Sequence, residues 1–265
     1  MQRLLTALVL LPLVLLTIIK GPPWLFAILL ALLCLVAMQE FFGMALPDRK
    51  GELLPFSLLA ALAVATPLLA DGRFFIMSLA AAFLLTGFHF LFRLRDISRA
   101  SQELSLVATA FLYIPFLMAH LLMIRLLPQG TNWLLLIMLI VMTNDTAAYY
   151  VGSAIGKHRL YEAVSPKKSI EGALGGLVGS LGGTLLAKFT FFATLGFADA
   201  LITALVIGTI GQVGDLFESL LKRSFGVKDS GTLFPGHGGV LDRMDSIIFA
   251  APVTYYYAVY LFGRF

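Results

Sequence analysis

Residues 237 to 245 read HGGVLDRMD, setting a histidine, an arginine and two carboxylates around a pair of glycines. Asp242 and Asp245 are three apart at what reads as a helix start, so both face the same way near its positive end. Upstream lie Lys228 and Asp229, with Gly226, Gly231, Pro235, Gly236, Gly238 and Gly239, the composition of a shaped loop whose backbone can approach a ligand closely. Acids and bases in one loop suit a metal-bound polyphosphate: carboxylates hold divalent cations, while Lys and Arg243 hold phosphate oxygens. His237 either donates to phosphate, moves a proton, or bridges the loop structurally.

Two further polar stretches accompany it. In GDLFESLLKRS, 214 to 224, Asp215, Glu218, Ser219 and Lys222 share one helix face, with Arg223 following. That stripe is either an internal ion pair or half of a site. In NDTAAYYVGSAIGKHRLYEAVSPKKSIEG, 144 to 172, Asn144 and Asp145 fall inside an apolar run. An unpaired ionisable group there is costly and marks a candidate site, the other reading being a hydrogen bond between helices. Ser165-Pro166 reads as a helix start, with Glu171 in an early turn. Lys167 and Lys168 then make an anion site at that start, or a basic anchor for anionic lipid.

The elements that must position these groups are helices in lipid. Of 265 residues 59% are hydrophobic and 13% charged, and the mean hydropathy is +0.92. Nine apolar runs, near 4–19, 24–46, 53–70, 73–92, 104–127, 132–155, 172–193, 198–218 and 246–263, predict an all-α polytopic integral membrane protein. They lack the alternation of a barrel strand, and only helices or closed barrels satisfy a backbone in lipid. Residues 1–23 resemble a signal peptide but lack a small-x-small cleavage site, and are read as a retained first span. With nine spans, only Lys20, Arg73, Arg125, Lys188 and Arg264 fall on the side opposite the N-terminus. The positive-inside rule therefore puts the N-terminus, and the site, at the cytoplasmic face. Residues 1–130 read as packing and lipid-access helices, and 131–265 as a catalytic region with cytoplasmic loops 156–171 and 219–245. Gly172/Gly176, Gly175/Gly179 and Gly179/Gly183, at small-xxx-small spacing, predict close packing of the seventh span.

Several functions are excluded. Cys34 is the sole cysteine, so no intramolecular disulfide or cysteine metal site is available. No Walker A, dinucleotide-binding, nucleophile-elbow or HExxH pattern occurs. The net charge of +4 is accounted for by inside-positive loops, which argues against nucleic-acid binding.

The stretch SLLKRSFGVKDSGTLFPGHGGVLDRMD, 219 to 245, resembles the signature of the phosphatidate cytidylyltransferases, or CDP-diacylglycerol synthases. Ser219, Lys222, Arg223, Lys228, Asp229, Gly231, His237, Gly238, Gly239, Asp242, Arg243 and Asp245 all match it. Asp145 in DTAAY and the SPKKSIEG segment are also similar, with Ser169 where Thr is more usual; the resemblance runs from about residue 140 onward. It implies that CTP and phosphatidate give CDP-diacylglycerol and pyrophosphate, with Mg²⁺ and a possible second metal ion. It also implies an inner (plasma) membrane homodimer among membrane lipids. On this resemblance Asp215, Asp242 and Asp245 carry metal, with Asp145 a further candidate. Lys222, Arg223 and Lys228 grip CTP or pyrophosphate, Lys167 and Lys168 hold CTP or the lipid headgroup, and His237, Gly238 and Gly239 shape the nucleotide loop. Two alternatives stay open: an ion-coupled secondary transporter using Asp145, Asp215 and Glu218, and a CTP-dependent lipid kinase.

Overall fold

A computed structural model describes residues 2–69, 73–93, 95–233 and 238–264, with side chains from residue 11 onward. His237 lies outside the described residues. The chain forms two compact units, one of 1–126 with 229–243, the other of 127–228 with 244–265.

The first unit holds α1 (Gln2–Ile19), α2 (Pro23–Ala45), α3 (Leu54–Ala65), α4 (Arg73–Phe92), α5 (Ala100–Tyr113) and α6 (Pro115–Leu126). Pro23 opens α2, where a missing N–H costs nothing, while Pro115 has no N–H to extend α5 and the helix restarts there. The run expected as one span at 104–127 is built of two helical pieces, α5 and α6, which fall within one candidate span, Ile97–Leu126. α2 packs on α3 and α6, burying Met38, Phe41, Phe42, Leu53, Met118 and Leu122. Its other face and that of α4 leave Leu32, Ile76, Leu84 and Phe88 exposed, as helices bathed in lipid require.

The second unit holds α7 (Gly130–Ile155), a hairpin of β1 (Arg159–Tyr161) and β2 (Ser165–Ser169), α8 (Ile170–Thr190), α9 (Phe197–Ser224) and most of α10 (Leu241–Tyr260). α8 lies along α7 and α9. Its glycine stripe makes this approach feasible. A Cβ on Gly179 would sit 2.5 Å from the Thr143 carbonyl oxygen and the Ala147 Cβ, and one on Gly176 would sit 2.7 Å from Asn144 Oδ1. Gly182 points into open space. Gly179→Ala is therefore expected to lower the detergent-solubilised melting temperature, at a cost of roughly 1–3 kcal/mol. Gly182→Ala should hold or raise it, because Ala is the better helix former. Equal melting temperatures for the two variants would contradict the packing.

Among the described residues, six helical segments are long and apolar enough to cross a membrane: Pro23–Ala45, Arg73–Phe92, Ile97–Leu126, Gly130–Ile155, Ile170–Thr190 and Phe197–Ser224. The protein is an all-α integral membrane protein. Leu54–Leu68 is a shorter apolar helix, and α10 opens on Asp242, Arg243 and Asp245.

Candidate active site

The sequence placed a helix start at Ser165, but the structure puts a β-strand there and begins α8 at Ile170. The cap is Ser169, whose Oγ accepts from the Gly172 N–H at 3.1 Å. Such a cap satisfies one of the free amides of a first helical turn. Glu171 then turns back on the incoming chain. Its carboxylate accepts from the Lys157 N–H at 3.1 Å and pairs with His158 Nδ1 at 2.6 Å. These bonds tie both ends of the hairpin to the start of α8, so Lys167 and Lys168 ride on a strand held at both ends.

In the second unit this strand borders a cavity of about 380 Å³, lined by Asp145, Tyr149, Lys167, Lys168, Gln212 and Asp215 among others. Four of the residues singled out from sequence thus come together from α7, β2 and α9. Lys168 Nζ stands 2.5 Å from Asp215 Oδ2, each side chain about one third exposed. Asn144 has the bridging role. It is buried, donates to Ser180 Oγ at 2.8 Å and accepts from Gln212 Nε2 at 3.0 Å. Gln212 also donates to the Ala173 carbonyl at 2.9 Å, so one amide pair ties α7, α8 and α9 beneath the cavity. Asp145, the next residue, is exposed to it.

One turn beyond Asp215 on α9, Glu218 is buried and pairs with Lys222 at 3.1 Å. Asp245 on α10 comes within hydrogen-bonding reach of Glu218 and feels the charge of Asp215. α10 approaches α9 closely at Gly214, where a Cβ would lie 2.7 Å from the Asp245 carbonyl oxygen. Ser219 Oγ is 3.5 Å from Asp215 Oδ1. α9 ends in a Schellman turn: Val227 N–H donates to the Lys222 carbonyl at 2.9 Å and Gly226 N–H to the Arg223 carbonyl at 3.1 Å. The turn requires a left-handed residue, and Gly226 has φ +72°. It leaves Arg223 and Lys228 exposed at the helix end, with Arg223 donating to the Val227 carbonyl at 3.3 Å.

In the first unit, the signature loop has its own hydrogen-bond structure. Asp242 Oδ2 accepts from Ser230 N at 2.9 Å, Ser230 Oγ at 2.9 Å and Gly239 N at 2.8 Å. Gly238 has φ +80°, and a Cβ there would strike the Asp242 carboxylate. The loop also closes on a residue that sequence reasoning passed over. Glu40, in the middle of the apolar α2, is 9% exposed. It accepts from Val240 N at 2.9 Å and Leu241 N at 3.0 Å, and lies 3.2 Å from Ser230 Oγ, whose one proton is shared with Asp242. A carboxylate thus meets the free amides at the start of α10, the end where negative charge is stabilised. Asp229 and Arg243 are exposed.

Among the described residues no three His, Cys, Asp or Glu side chains stand together so that they alone could hold a metal ion. The donor set still fits Mg²⁺. That ion is held by one or two carboxylates plus substrate phosphates rather than by an all-protein cage. Asp215, Glu218 and Asp245 offer only hard oxygen donors, and the charge of Asp215 acting on Asp245 calls for positive charge nearby. Lys168 and Lys222 supply that positive charge here.

A model of the cytidylyltransferase family matches residues 1–261, and the chain belongs to that family. It is 35% identical over 226 residues to the phosphatidate cytidylyltransferase of Staphylococcus haemolyticus, covering 84% of this chain and 85% of that protein. The phosphatidate cytidylyltransferase of Bacillus subtilis is 36% identical over 156 residues, 58% of each chain. That of Staphylococcus aureus is 45% identical over 125 residues, 47% of this chain and 48% of that one. The match extends through the first half of the chain, beyond the residue 140 from which the resemblance was legible.

Proposed function

We propose that this protein transfers the cytidylyl group of CTP to phosphatidate in the inner (plasma) membrane, forming CDP-diacylglycerol and pyrophosphate for phospholipid synthesis. The observation that carries the reading is the Lys168–Asp215 pair on the wall of the 380 Å³ cavity. A cavity of that size suits a small-molecule ligand. Its wall presents ammonium groups for phosphate oxygens beside carboxylates for a cation.

In the reaction a lipid phosphate oxygen bonds to the α-phosphorus of CTP, the bond to the α,β-bridging oxygen breaks, and pyrophosphate leaves. The attacking phosphate is already ionised at neutral pH, so no strong base is required. The barrier lies in bringing two anions together and in the charge that builds on the leaving group. Lys167 and Lys168, fixed by the hairpin, hold phosphate oxygens, and Lys222 and Arg223 at the end of α9 receive the departing charge. Asp215 and Asp245 would hold Mg²⁺ with Glu218 behind them, Asp145 being a further donor on the cavity wall. The ion would neutralise phosphate charge while polarising the α-phosphorus. Asp242 is assigned to shaping the loop, since one of its oxygens already takes three hydrogen bonds there. Ser219, Lys228, Asp229, Gly238, Gly239 and Arg243, with His237, complete the CTP-handling set.

We further propose nine spans, a cytoplasmic N-terminus with loops 156–171 and 219–245 on that side, and a homodimer. The distribution of Lys and Arg supports the orientation. Product analysis with phosphatidate and CTP labelled at the α- or γ-phosphate tests the chemistry. Pyrophosphate and labelled CDP-diacylglycerol are expected. Release of CDP would mean a kinase, and neither product would return the transporter reading.

A further inference from the structure

The first unit has a second polar cavity, of about 500 Å³, that the proposed reaction does not use. It opens where α2 ends at Ala45, α4 at Phe92 and the segment leading into α5 begins at Ile97, the common end of three candidate spans. That places it at the depth where lipid headgroups sit. Its walls carry Asp48, Arg49, Arg95, Arg99, Gln102 and Glu103.

Arg49 is the unusual member. It is 3% exposed, its Nε is 3.1 Å from Glu103, and its guanidinium stacks over Phe90 at 4.9 Å. Nη1 is buried with no hydrogen-bond partner among the described residues. A buried charged donor left unmatched is costly, and Arg49 is among the residues that line this cavity. Glu52 feels the charge of Arg49 and keeps one buried oxygen, Oε2, without a hydrogen-bond partner among the described residues, while Glu103 and Asp96 are engaged. Glu103 serves Arg49, and Asp96 accepts from Ser98 N at 2.9 Å and Ser98 Oγ at 2.7 Å, bonds that hold its carboxyl below the usual range. Arg95 pairs with Glu52 and reaches the Asp48 carbonyl at 3.4 Å, while Arg99 is exposed and only 3.9 Å from Asp96. A planar guanidinium pair around one buried donor matches phosphate geometry. Asp48 disfavours a highly charged polyphosphate in the same space.

We infer that this cavity is a phosphate-binding site at the membrane surface, separate from the cavity around Asp215, that takes a singly phosphorylated group of the lipid-headgroup type. The inference does not depend on the reaction proposed above, since it rests on residues of the first unit alone.

The test uses the full chain in neutral detergent. Its melting temperature is titrated with dioctanoyl phosphatidylglycerol and, separately, with inorganic phosphate at matched ionic strength. Wild type is compared with Arg99→Gln, at an exposed position, and with Arg49→Lys, which keeps the charge facing Glu103 but removes the second guanidinium nitrogen. Saturable stabilisation is expected, with the half-saturating concentration raised about tenfold in each variant, the loss of one charged hydrogen bond. Saturation by the lipid alone identifies a headgroup site; saturation by phosphate as well shows that the free anion also enters. Binding elsewhere would be insensitive to both substitutions. No saturable shift with either ligand, or a wild-type half-saturation in Arg99→Gln and in any folded Arg49→Lys, overturns the inference.

Discussion

Asp215→Asn is expected to cut cytidylyl transfer by at least about 100-fold while the protein stays folded in the membrane. Two losses combine. The neutral amide no longer balances the Lys168 ammonium 2.5 Å away, so the lysine is freed to move off the cavity wall. It also withdraws a hard oxygen from the cluster assigned to Mg²⁺ with Asp245 and Glu218. Removing one preorganised electrostatic contact in an active site typically costs 10²- to 10³-fold. Folding should be spared because Asp215 is one third exposed, unlike Glu218. The diagnostic is a Mg²⁺ titration of turnover. Asp215→Asn should move the half-saturating Mg²⁺ concentration upward, as should Asp245→Asn. Asp242→Asn should lower turnover without moving it, because Asp242 Oδ2 is committed to Ser230 and Gly239. A Mg²⁺ shift confined to Asp242→Asn would reverse the assignment, and wild-type turnover with Asp215→Asn would remove the cavity from the reaction.

Much of this was legible because polar groups stand out against an apolar chain. Asp145, Lys167, Lys168 and Asp215 line one cavity although up to 70 residues separate them; Asp145 was marked by its cost of burial, the lysines by their place at a helix-start signal and Asp215 by its polar stripe. Helix positions were legible for a related reason: a long apolar run in lipid has few alternatives to a helix. The expected 73–92 coincides with α4, and 132–155 lies within α7. What escaped was decided by tertiary contacts. The SPKKS segment carries a Ser-Pro helix signal, yet antiparallel pairing with Arg159–Tyr161 and the bonds from Glu171 to Lys157 and His158 make it a strand. Asn144 and Asp145 looked alike in sequence. Only the arrangement of Ser180 and Gln212 makes the first a tie between helices and leaves the second facing the cavity.

Glu40 is the sharper case, since the rule that marked Asp145 applies equally to a glutamate in the middle of AMQEFFGM. Its partners lie about 190 to 200 residues away, where no local pattern reaches. Glu40→Gln is expected to reduce turnover by roughly 100-fold, with most of the protein's structure kept. A glutamine has one acceptor oxygen, whereas Glu40 serves Val240 N and Leu241 N with different oxygens, so one buried N–H would face an NH₂ group instead. An unsatisfied buried amide costs about 1–3 kcal/mol, and a lost hydrogen bond to a charged group about 1.5–3 kcal/mol. That energy falls on the loop 229–243 and on the start of α10, one turn before Asp245. Gly231 and Gly239 sharpen the dependence, because their missing side chains make room for this carboxylate; a Cβ on Gly231 would lie 2.6 Å from Glu40 Oε1. Hydrogen exchange provides the local readout. Amides of 238–243 should exchange at least about tenfold faster in Glu40→Gln, while those of α7 and α8 keep their wild-type protection. Restoration of slow exchange and turnover by Glu40→Asp would mean the shorter acid still reaches both amides. If Glu40→Gln instead leaves exchange and turnover at wild-type values, the carboxylate is a bystander and the signature loop holds its own shape through Asp242 alone.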